Sequence, residues 1–525
     1  MRNFLTFIFL LAFLQVKSQT PDWEWTKCAA NGGGEGWSVA TDATGNVFFS
    51  GGFYEYITFG SHTLTDPSIG YLHIFLVKYD ASGNVMWALN SSGQSNANGL
   101  SIVTDALGNI YMTGYYSGGS ITFGTHVLNN AGLEDAFVIK YDQAGNFVWA
   151  TNLGGTLYER GYSISTNNSG ELFITGFYTT PLLVFGSDTL PNPTDKNVFV
   201  AKLDTAGNII WARGSLGTAA NDRGFGVAAD TSGNVFVTGE YASPAIIFGN
   251  DTLFNQGATD IFLVKYNLFG NIIWTKNLGG VNYDYGLSAA TNSFGKIFIT
   301  GFVDYSRMFI AQYDTNGNID WISYSTGYAR GYCVSSDAIG NAYVSGMMYG
   351  DSISFGTITL PLLAGDDPMF VAGFDSTGQA TFAKGLSSGG DDQNSIAVDK
   401  DGNIFIGGDF DNNPFIVGND TLTLTGFETP FVSKLRFSPA AGLSETDNEH
   451  KGIIFPNPFT NSVTVKTNDN GQSQIILYDI LSRKLLQQTF SNIVTVNTEQ
   501  LTSGIYIYEV LNKKGNIING KLIKQ

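Results

Sequence analysis

The sequence predicts an all-β chain, in which seven four-stranded sheets close into a ring, a seven-bladed β-propeller, with a small C-terminal β-sandwich after it. Three observations predict this. A turn phrase typified by Asp42-Ala-Thr-Gly45-Asn46 returns with its glycine at 45, 108, 170, 233, 295, 340 and 402, at spacings of 63, 62, 63, 62, 45 and 62 residues, so the chain holds seven copies of one unit with a short fifth. Strand phrases such as HIFLVKY, DAFVIKY, NVFVAKL and DIFLVKY are apolar on both faces, as expected of a sheet packed between two neighbours. Gly is abundant (64 residues) and aromatics reach 14% of the 525 residues, which suits short strands joined by tight turns and leaves almost no helix.

Residues 1–18 read as a secretory signal peptide, with Arg2, an apolar run over residues 4–14, and Val16 and Ser18 placed for cleavage. The apolar run is too short for a spanning helix, which needs about 20 residues. The propeller is expected over residues 19–437. Within one copy, a first strand (37–41) meets the Asp-x-x-Gly-Asn turn, a second (47–53) follows, and a connection carrying Phe59-Gly60 leads to HIFLVKYD, whose turn delivers a fourth strand, NVMWAL. Gly serves the positive φ that such a hairpin turn requires. Asp42, Asp105, Asp230, Asp337 and Asp399 are expected to bond the turn amides; one carboxylate per copy falls short of a calcium site. Trp87, Trp149, Trp211, Trp274 and Trp321, with Phe382 in the sixth copy, are expected to pack between sheets.

The seventh copy stops after its third strand, and the missing strand stands at the other end. Trp25 lies 62 residues before Trp87, so residues 21–27 are expected to pair as the outermost strand of the seventh sheet and to close the ring. Lys78, Lys140, Lys202, Lys265 and Lys434 recur on the third strands, replaced by Gln312 and Gly373, and are expected to form ion pairs between sheets or to lay their stems along apolar surface. The fifth copy lacks the Phe-Gly connection, which predicts a notch in the irregular face there. Cys28 and Cys333 occupy unrelated repeat positions and are expected to be free thiols.

These repeats, through the phrases D-x-x-G-N-x-[FY]-[VI]-x-G and F-[LV]-V-K-Y-D-x-x-G-N-x-x-W, resemble the seven-bladed β-propeller repeat family of bacterial secreted proteins over residues 20–437. The resemblance implies fold and leaves activity open, because propellers host binding modules and enzymes alike.

A polar linker, residues 438–451, precedes a different module over residues 452–525, made of short alternating strands consistent with a β-sandwich. Pro456, Asn457 and Pro458, the phrase over residues 501–506 with Gly504 and Tyr506, and the terminal Lys521, Leu522 and Lys524 resemble the C-terminal sorting domain of the type IX secretion system of Bacteroidetes. That resemblance implies recognition by the outer-membrane export machinery, followed by release or attachment to surface lipopolysaccharide. The mature protein is then expected to be secreted or held on the outer cell surface.

The formal net charge is −18 (27 Lys and Arg, 45 Asp and Glu), and its acidic excess lies upstream of residue 452, which disfavours nucleic acid and anionic lipid as partners. Four histidines, His62, His73, His126 and His450, are too few and too scattered for a histidine-built metal centre or catalytic relay, so no metal or cofactor is expected. The loops entering the innermost strands surround the channel mouth and bring Glu35, Glu159, Arg160, Asp222, Arg223, Asp284, Tyr285, Arg330, Asp391 and Asp392 to one rim, beside Tyr158, Tyr283 and Tyr328. Such a rim either grips a polar ligand, a glycan or a peptide, or pairs its own charges. The leading expectation is a monomeric binding or scaffold module. The alternatives are a polysaccharide lyase or glycoside hydrolase using rim carboxylates, at about 5 to 5.5 Å separation for retention or about 6.5 to 9.5 Å for inversion, and a passive spacer.

Overall fold

A computed structural model describes residues 20–66, 68, 70–193, 195–217, 220–361, 363, 368–387, 394–437, 453–455, 459–467, 471–479, 483–502, 504–511 and 517–524. The signal-peptide and linker assignments, Asp391 and Asp392, and Pro456, Asn457 and Pro458 lie outside the described residues. Among the described residues every regular element is a strand, and no helix is long and apolar enough to cross a membrane. The chain divides into two compact units, Met1–Ser438 and Pro439–Gln525.

The first unit is a propeller-like succession of four-stranded antiparallel sheets. Sheet 1 comprises Asn31–Thr41, Val47–Phe59, His73–Tyr79 and Val85–Ser92; sheet 2 comprises Ser95–Thr104, Ile110–Gly118, Glu134–Tyr141 and Phe147–Leu153. Sheet 3 is built from Glu159–Thr166, Leu172–Tyr178, Asn197–Leu203 and Ile209–Gly214, and sheet 4 from Asp222–Ala229, Val235–Tyr241, Asp260–Tyr266 and Ile272–Leu278. Sheet 5 contains Tyr285–Thr291, Ile297–Val303, Arg307–Tyr313 and the first third of the long strand Ile319–Ser336, whose remainder opens sheet 6 with Ala342–Phe355, Met369–Phe374 and Ala380–Leu386. Sheet 7 joins Ser395–Val398, Ile404–Phe410 and Thr429–Arg436 to Asp22–Cys28, which pairs along its outer edge. The N-terminal strand therefore completes the last sheet.

The turn aspartates form one repeated cradle. Asp42 Oδ1 accepts the amides of Thr44 (2.9 Å) and Asn46 (3.0 Å), and Asn46 Nδ2 donates to Oδ2 at 2.7 Å, while Gly45 takes φ 84°. Asp105, Asp230, Asp337 and Asp399 repeat this arrangement. Both carboxylate oxygens are thereby engaged by the turn itself.

Neighbouring sheets are joined in two layers. On the inner strands a serine hydroxyl accepts an amide of the adjacent sheet: Ile102 N to Ser38 Oγ (3.1 Å), Ile164 N to Ser101 Oγ, Val227 N to Ser163 Oγ, Val334 N to Ser288 Oγ and Val39 N to Ser395 Oγ (3.2 Å each). Gly226 stands at this position in sheet 4 because a Cβ there would lie 2.8 Å from Ser288 Cα. Cys333 takes the place in sheet 6, with its Sγ 3.9 Å from Ile396 O.

On the outer strands, Trp and Lys grip the turn carbonyl of the next sheet. Trp211 Nε1 and Lys202 Nζ both donate to Leu268 O (3.1 and 3.3 Å), as Trp149 and Lys140 do to Thr205 O and Trp274 and Lys265 to Thr315 O. Trp25 and Lys434 of sheet 7 reach Ala81 O of sheet 1 at 3.2 and 3.3 Å. The recurring lysine is thus mainly a donor to a neighbouring carbonyl, with ion pairs added at Lys202–Glu171 (2.9 Å) and Lys434–Glu24 (3.0 Å). Gly373 lacks it because the Phe382 ring covers that spot, 2.3 Å from a built Cβ.

The Phe-Gly connections are small hairpins lying against the fourth strand of their own sheet. His126 stacks on Phe147 (5.2 Å), and Asp188 Oδ2 accepts the amide of Ala212 at 2.7 Å. Sheet 5 has no such hairpin: Val303 pairs directly with Arg307 across a turn in which Asp304 and Tyr305 take φ 52° and 74°. The outer strand of sheet 5 is instead met at its end by the hairpin of sheet 6, Ser325 and Thr326 pairing with Phe355 and Ser354, and Arg307 lies over the Tyr324 ring at 4.3 Å. Cys28 and Cys333 are both free.

In the second unit, Ile453–Phe455, Ser462–Lys466 and Ile493–Asn497 form one antiparallel sheet, and Lys484–Ser491, Gln472–Tyr478, Gly504–Leu511 and Ile517–Lys524 form another. Phe459, Val463, Val465, Ile475, Leu477, Val496, Val510 and Leu522 make their shared core. Tyr506 is buried with its hydroxyl donating to Thr502 O, and Lys521 is exposed. Lys524 is buried, with Nζ donating to Thr460 O and Thr498 O at 2.7 Å each and lying 5.7 Å from the Phe459 ring centre.

Candidate ligand-binding mouth

The inner strands all start on one face, so their first residues encircle a common axial opening. Below it is a cavity of about 270 Å³ whose wall is formed by Trp37, Leu100, Tyr162, Phe225, Leu287 and Tyr332, with the serine layer beside them. Every sheet of the first unit contributes to that wall, sheet 7 through Asn394 and Ser395.

The side chains predicted to share the rim separate into two groups. Glu159, Asp222 and Asp284 are 0%, 0% and 1% exposed and turn back beneath their own loops. Glu159 accepts the amides of Gly155 (2.6 Å) and Thr180 (3.1 Å). Asp222 Oδ1 accepts Ala242 N and Ser243 N (3.1 Å each), and its Oδ2 accepts the Ser243 hydroxyl (2.9 Å). Asp284 accepts Gly280 N (2.6 Å) and Asp304 N (2.8 Å). Burial raises the pKa of all three, that of Asp222 to about 6, against the lowering effect of these hydrogen bonds. These acids hold loops in place. The reason is strand alternation: in Glu159-Arg160, Asp222-Arg223 and Asp284-Tyr285, successive side chains point to opposite faces, so only the second of each pair reaches the mouth.

That second set is brought together. Arg160 forms a two-point ion pair with Glu134 (Nε to Oε2 2.5 Å, Nη2 to Oε1 2.9 Å), and its guanidinium lies 4.1 Å from the Tyr115 ring centre. Arg223 pairs with Glu240 at 3.3 Å. Glu240 is 3% exposed; burial pushes it up to about 7, opposed by Arg223 and by a hydrogen bond from Tyr285. Tyr285 stacks on Phe302 at 4.7 Å, and Arg330 lies over the same ring at 4.6 Å. Glu35 accepts the Trp37 indole N–H at 3.1 Å. Tyr158, Tyr283 and Tyr328 stand around the opening 42%, 43% and 64% exposed, with Tyr283 against Tyr305 at 5.3 Å.

Glu134, Lys196 and Glu240 are functional candidates absent from the predicted set. Glu134 and Lys196 stand at the starts of third strands, and Glu240 faces Arg223 across the first pairing of sheet 4. The residue after the second-strand glycine is apolar or aromatic in Tyr115, Phe177, Phe302 and Met347, so the acid at 240 is the signal that register alone could have supplied. Asp409 is the other acid at that position, and its Oδ1 accepts Gly36 N at 3.1 Å across the junction of sheets 7 and 1.

Residues 453–525 match the family described as the secretion system C-terminal sorting domain, which implies export by the type IX system and a secreted or cell-surface location. The chain is similar in sequence to an uncharacterized WD repeat-containing protein, L264, of Acanthamoeba polyphaga mimivirus, 26% identical over 375 residues that cover 58% of this chain and 27% of that protein. It is also similar to the regulatory protein FlaEY of Caulobacter vibrioides, 27% identical over 163 residues, 30% of this chain and 17% of that protein. The chain thus spans about a quarter or less of the length of these relatives. Similar solved structures include a protein of unknown function from Dyadobacter fermentans (11% identity, 80% of this chain and 98% of that one, TM-score 0.35), and a gluconolactonase from Xanthomonas campestris (11%, 61% and 84%, TM-score 0.31). The polysaccharide lyase Uly1 is a third (7%, 79% and 100%, TM-score 0.38).

Proposed function

We propose that this protein is a seven-bladed propeller, closed by its N-terminal strand, that acts as an extracellular binding or scaffold module delivered by the type IX secretion machinery. In this reading residues 1–18 are the signal peptide, 438–451 a linker, and 452–525 a β-sandwich sorting domain whose Tyr506, Leu522 and Lys524 hold its fold. The ligand is an extracellular glycan, peptide or surface protein, and its site is the mouth formed by Glu35, Arg160, Arg223, Tyr285 and Arg330.

One observation carries the preference for binding over catalysis. Glu134 and Glu240, beside the mouth arginines, are each engaged in an arginine ion pair and Glu35 accepts the Trp37 indole N–H, whereas a glycosidase needs a pair of carboxyl groups free to protonate a leaving group or attack. Exposed tyrosines around a cationic opening supply flat apolar faces and hydrogen-bonding tips for a polar ligand.

The test is retention of the secreted full-length chain on an array of glycans and polysaccharides, beside an Arg160→Ala/Arg223→Ala/Arg330→Ala variant of matched far-UV circular dichroism. Saturable binding lost in the variant is expected. Binding that survives the triple substitution places the site elsewhere, and turnover of a bound polysaccharide would move the assignment to an enzyme.

A further inference from the structure

Arginine is unevenly placed in this acidic protein. Six arginines lie in the described part of the first unit; Arg160, Arg223, Arg307 and Arg330 stand on the mouth face, and Arg213 and Arg436 do not. Three of the four rest on aromatic rings: Arg160 on Tyr115, Arg307 on Tyr324 at 4.3 Å, and Arg330 on Phe302. A guanidinium held flat on a ring keeps its N–H edge directed outward and presents a planar donor fork.

Between the first two of these arginines sits Lys196. Its ammonium is 5.2 Å from the centre of the Phe177 ring, the same ring that Arg160 approaches at 6.0 Å, so two cations share one aromatic platform. The backbone ties this group to the next sheet, since Lys196 O accepts Asp222 N at 3.1 Å, immediately before Arg223. Burial together with the Arg223 and Arg160 charges lowers the Lys196 pKa, as expected where like charges are gathered. Arg223 Nε is buried and has no hydrogen-bond partner. Glu134 and Glu240 are ion-paired to the two arginines, whereas Lys196 makes no ion pair among the described residues and Asp195, next to it in the chain, acts on it only through its charge.

Resting on the mouth as the binding site, we propose that the ligand is an anionic polysaccharide whose carboxylate or sulfate group is received at Arg160, Lys196 and Arg223. Gathering like charges is unfavourable unless an anion completes them, and the Arg fork matches a planar or tetrahedral oxyanion. The surrounding acidic surface repels a densely charged polymer, so the anions are spaced by neutral sugars, whose faces meet the exposed tyrosines. This spacing favours a glycan over an acidic peptide, which crowds its charges and offers no flat ring to stack.

The experiment is isothermal titration of the full-length chain with hyaluronan, alginate, pectate, chondroitin sulfate and carrageenan oligosaccharides, each beside its carboxyl-reduced or desulfated form, and with hexaglutamate. Lys196→Ala is compared with Lys400→Ala, an equal change of charge at an exposed pair away from the mouth. Hyaluronan or carrageenan oligosaccharides, whose anions alternate with neutral sugars, are expected to bind more tightly than alginate or pectate, which are charged at every sugar, with affinity falling 10-fold or more on neutralisation and about 10-fold in Lys196→Ala, and unchanged in Lys400→Ala; tighter binding of alginate or pectate overturns the spacing. Carboxylate and sulfate sources are separated by which form loses binding.

If neutral sugars bind as tightly and Lys196→Ala is silent while the triple arginine variant fails on the array, the anion inference falls and the binding mouth stands. Preference for hexaglutamate overturns the glycan assignment. If nothing on the array or in the titrations depends on the mouth residues, both readings fall.

Discussion

Replacing Trp25 with alanine isolates the contribution of ring closure. Trp25 lies close to the start of the described chain, where truncating a side chain ordinarily costs little. Here it is 8% exposed, its ring is 6.1 Å from Phe405, and its indole donates to Ala81 O of sheet 1 at 3.2 Å. An indole removes roughly 200 Å² from water, and at about 25 cal/mol per Å² this gives an upper value of about 5 kcal/mol; Trp-to-Ala losses in cores run at about 3–5 kcal/mol. Trp211, 4% exposed and bonded to Leu268 O, is the internal reference, because it makes the same contacts between two sheets that the chain joins covalently. A unit of about 420 residues has an unfolding entropy of about 0.9 kcal/mol/K, so each substitution should lower Tm by about 3–6 °C. Differential scanning calorimetry on the full-length chain reads this as a shift of the propeller transition. If Trp25→Ala shifts it by less than about 1 °C while Trp211→Ala gives the full loss, the N-terminal strand does not close the ring and the argument fails.

Further outcomes follow from the same contacts. Asp105→Ala strips acceptors from Leu107 N, Asn109 N, Asn109 Nδ2 and the buried Tyr111 hydroxyl, and should lose about 2–3 kcal/mol in urea unfolding, whereas Asp142→Ala, in an exposed turn, should lose clearly less. Asp222 has a folded pKa of about 6, above the unfolded value of about 3.9, so the stability linked to its proton is full below about pH 4 and is lost as pH rises through 6. Urea midpoints at pH 4, 5, 6 and 7 should therefore fall in wild type relative to Asp222→Asn across that window. Glu240, with a pKa of about 7 and facing Arg223, Tyr285, Asp222 and Lys196, loses its charge as pH drops from 8 to 6 and releases Arg223. Affinity for a bound anionic oligosaccharide should rise several-fold over that range and become flatter in Glu240→Gln, by titration calorimetry at each pH.

The succession of sheets was legible because it is written in a period: one turn glycine every 62 or 63 residues, with a single interval of 45, and a Trp at 25 that completes the series begun at 87. Such signals survive because each copy answers the same packing problem, as the shared Leu268 O acceptor of Trp211 and Lys202 illustrates. The mouth was legible only to the nearest loop. Sequence placed Glu159, Asp222 and Asp284 beside their neighbours on the rim, but a residue's side of a strand depends on where pairing begins, and a shift of one residue exchanges loop anchors for mouth residues. Lys196 was invisible for a different reason. It is adjacent to nothing relevant in the chain, and its relation to Arg160 and Arg223 exists only through a ring on another strand and a backbone bond to another sheet.

That division says where in this protein selection can act separately on fold and on ligand. The serine and Trp-Lys layers recur because they must match a neighbour on both sides, so a change in one sheet has to fit the next. The residues at the mouth vary where the layers are constant: Glu35, Asn98, Arg160, Arg223, Tyr285 and Arg330 occupy one position on successive inner strands, arginine at three of the six. Sheets that share these packing layers, Gly226, Cys333 and Gly373 apart, therefore leave that position free to vary. The divergence at that position, set against the constancy of the layers beside it, is what recognition of one particular ligand would leave in a repeat protein.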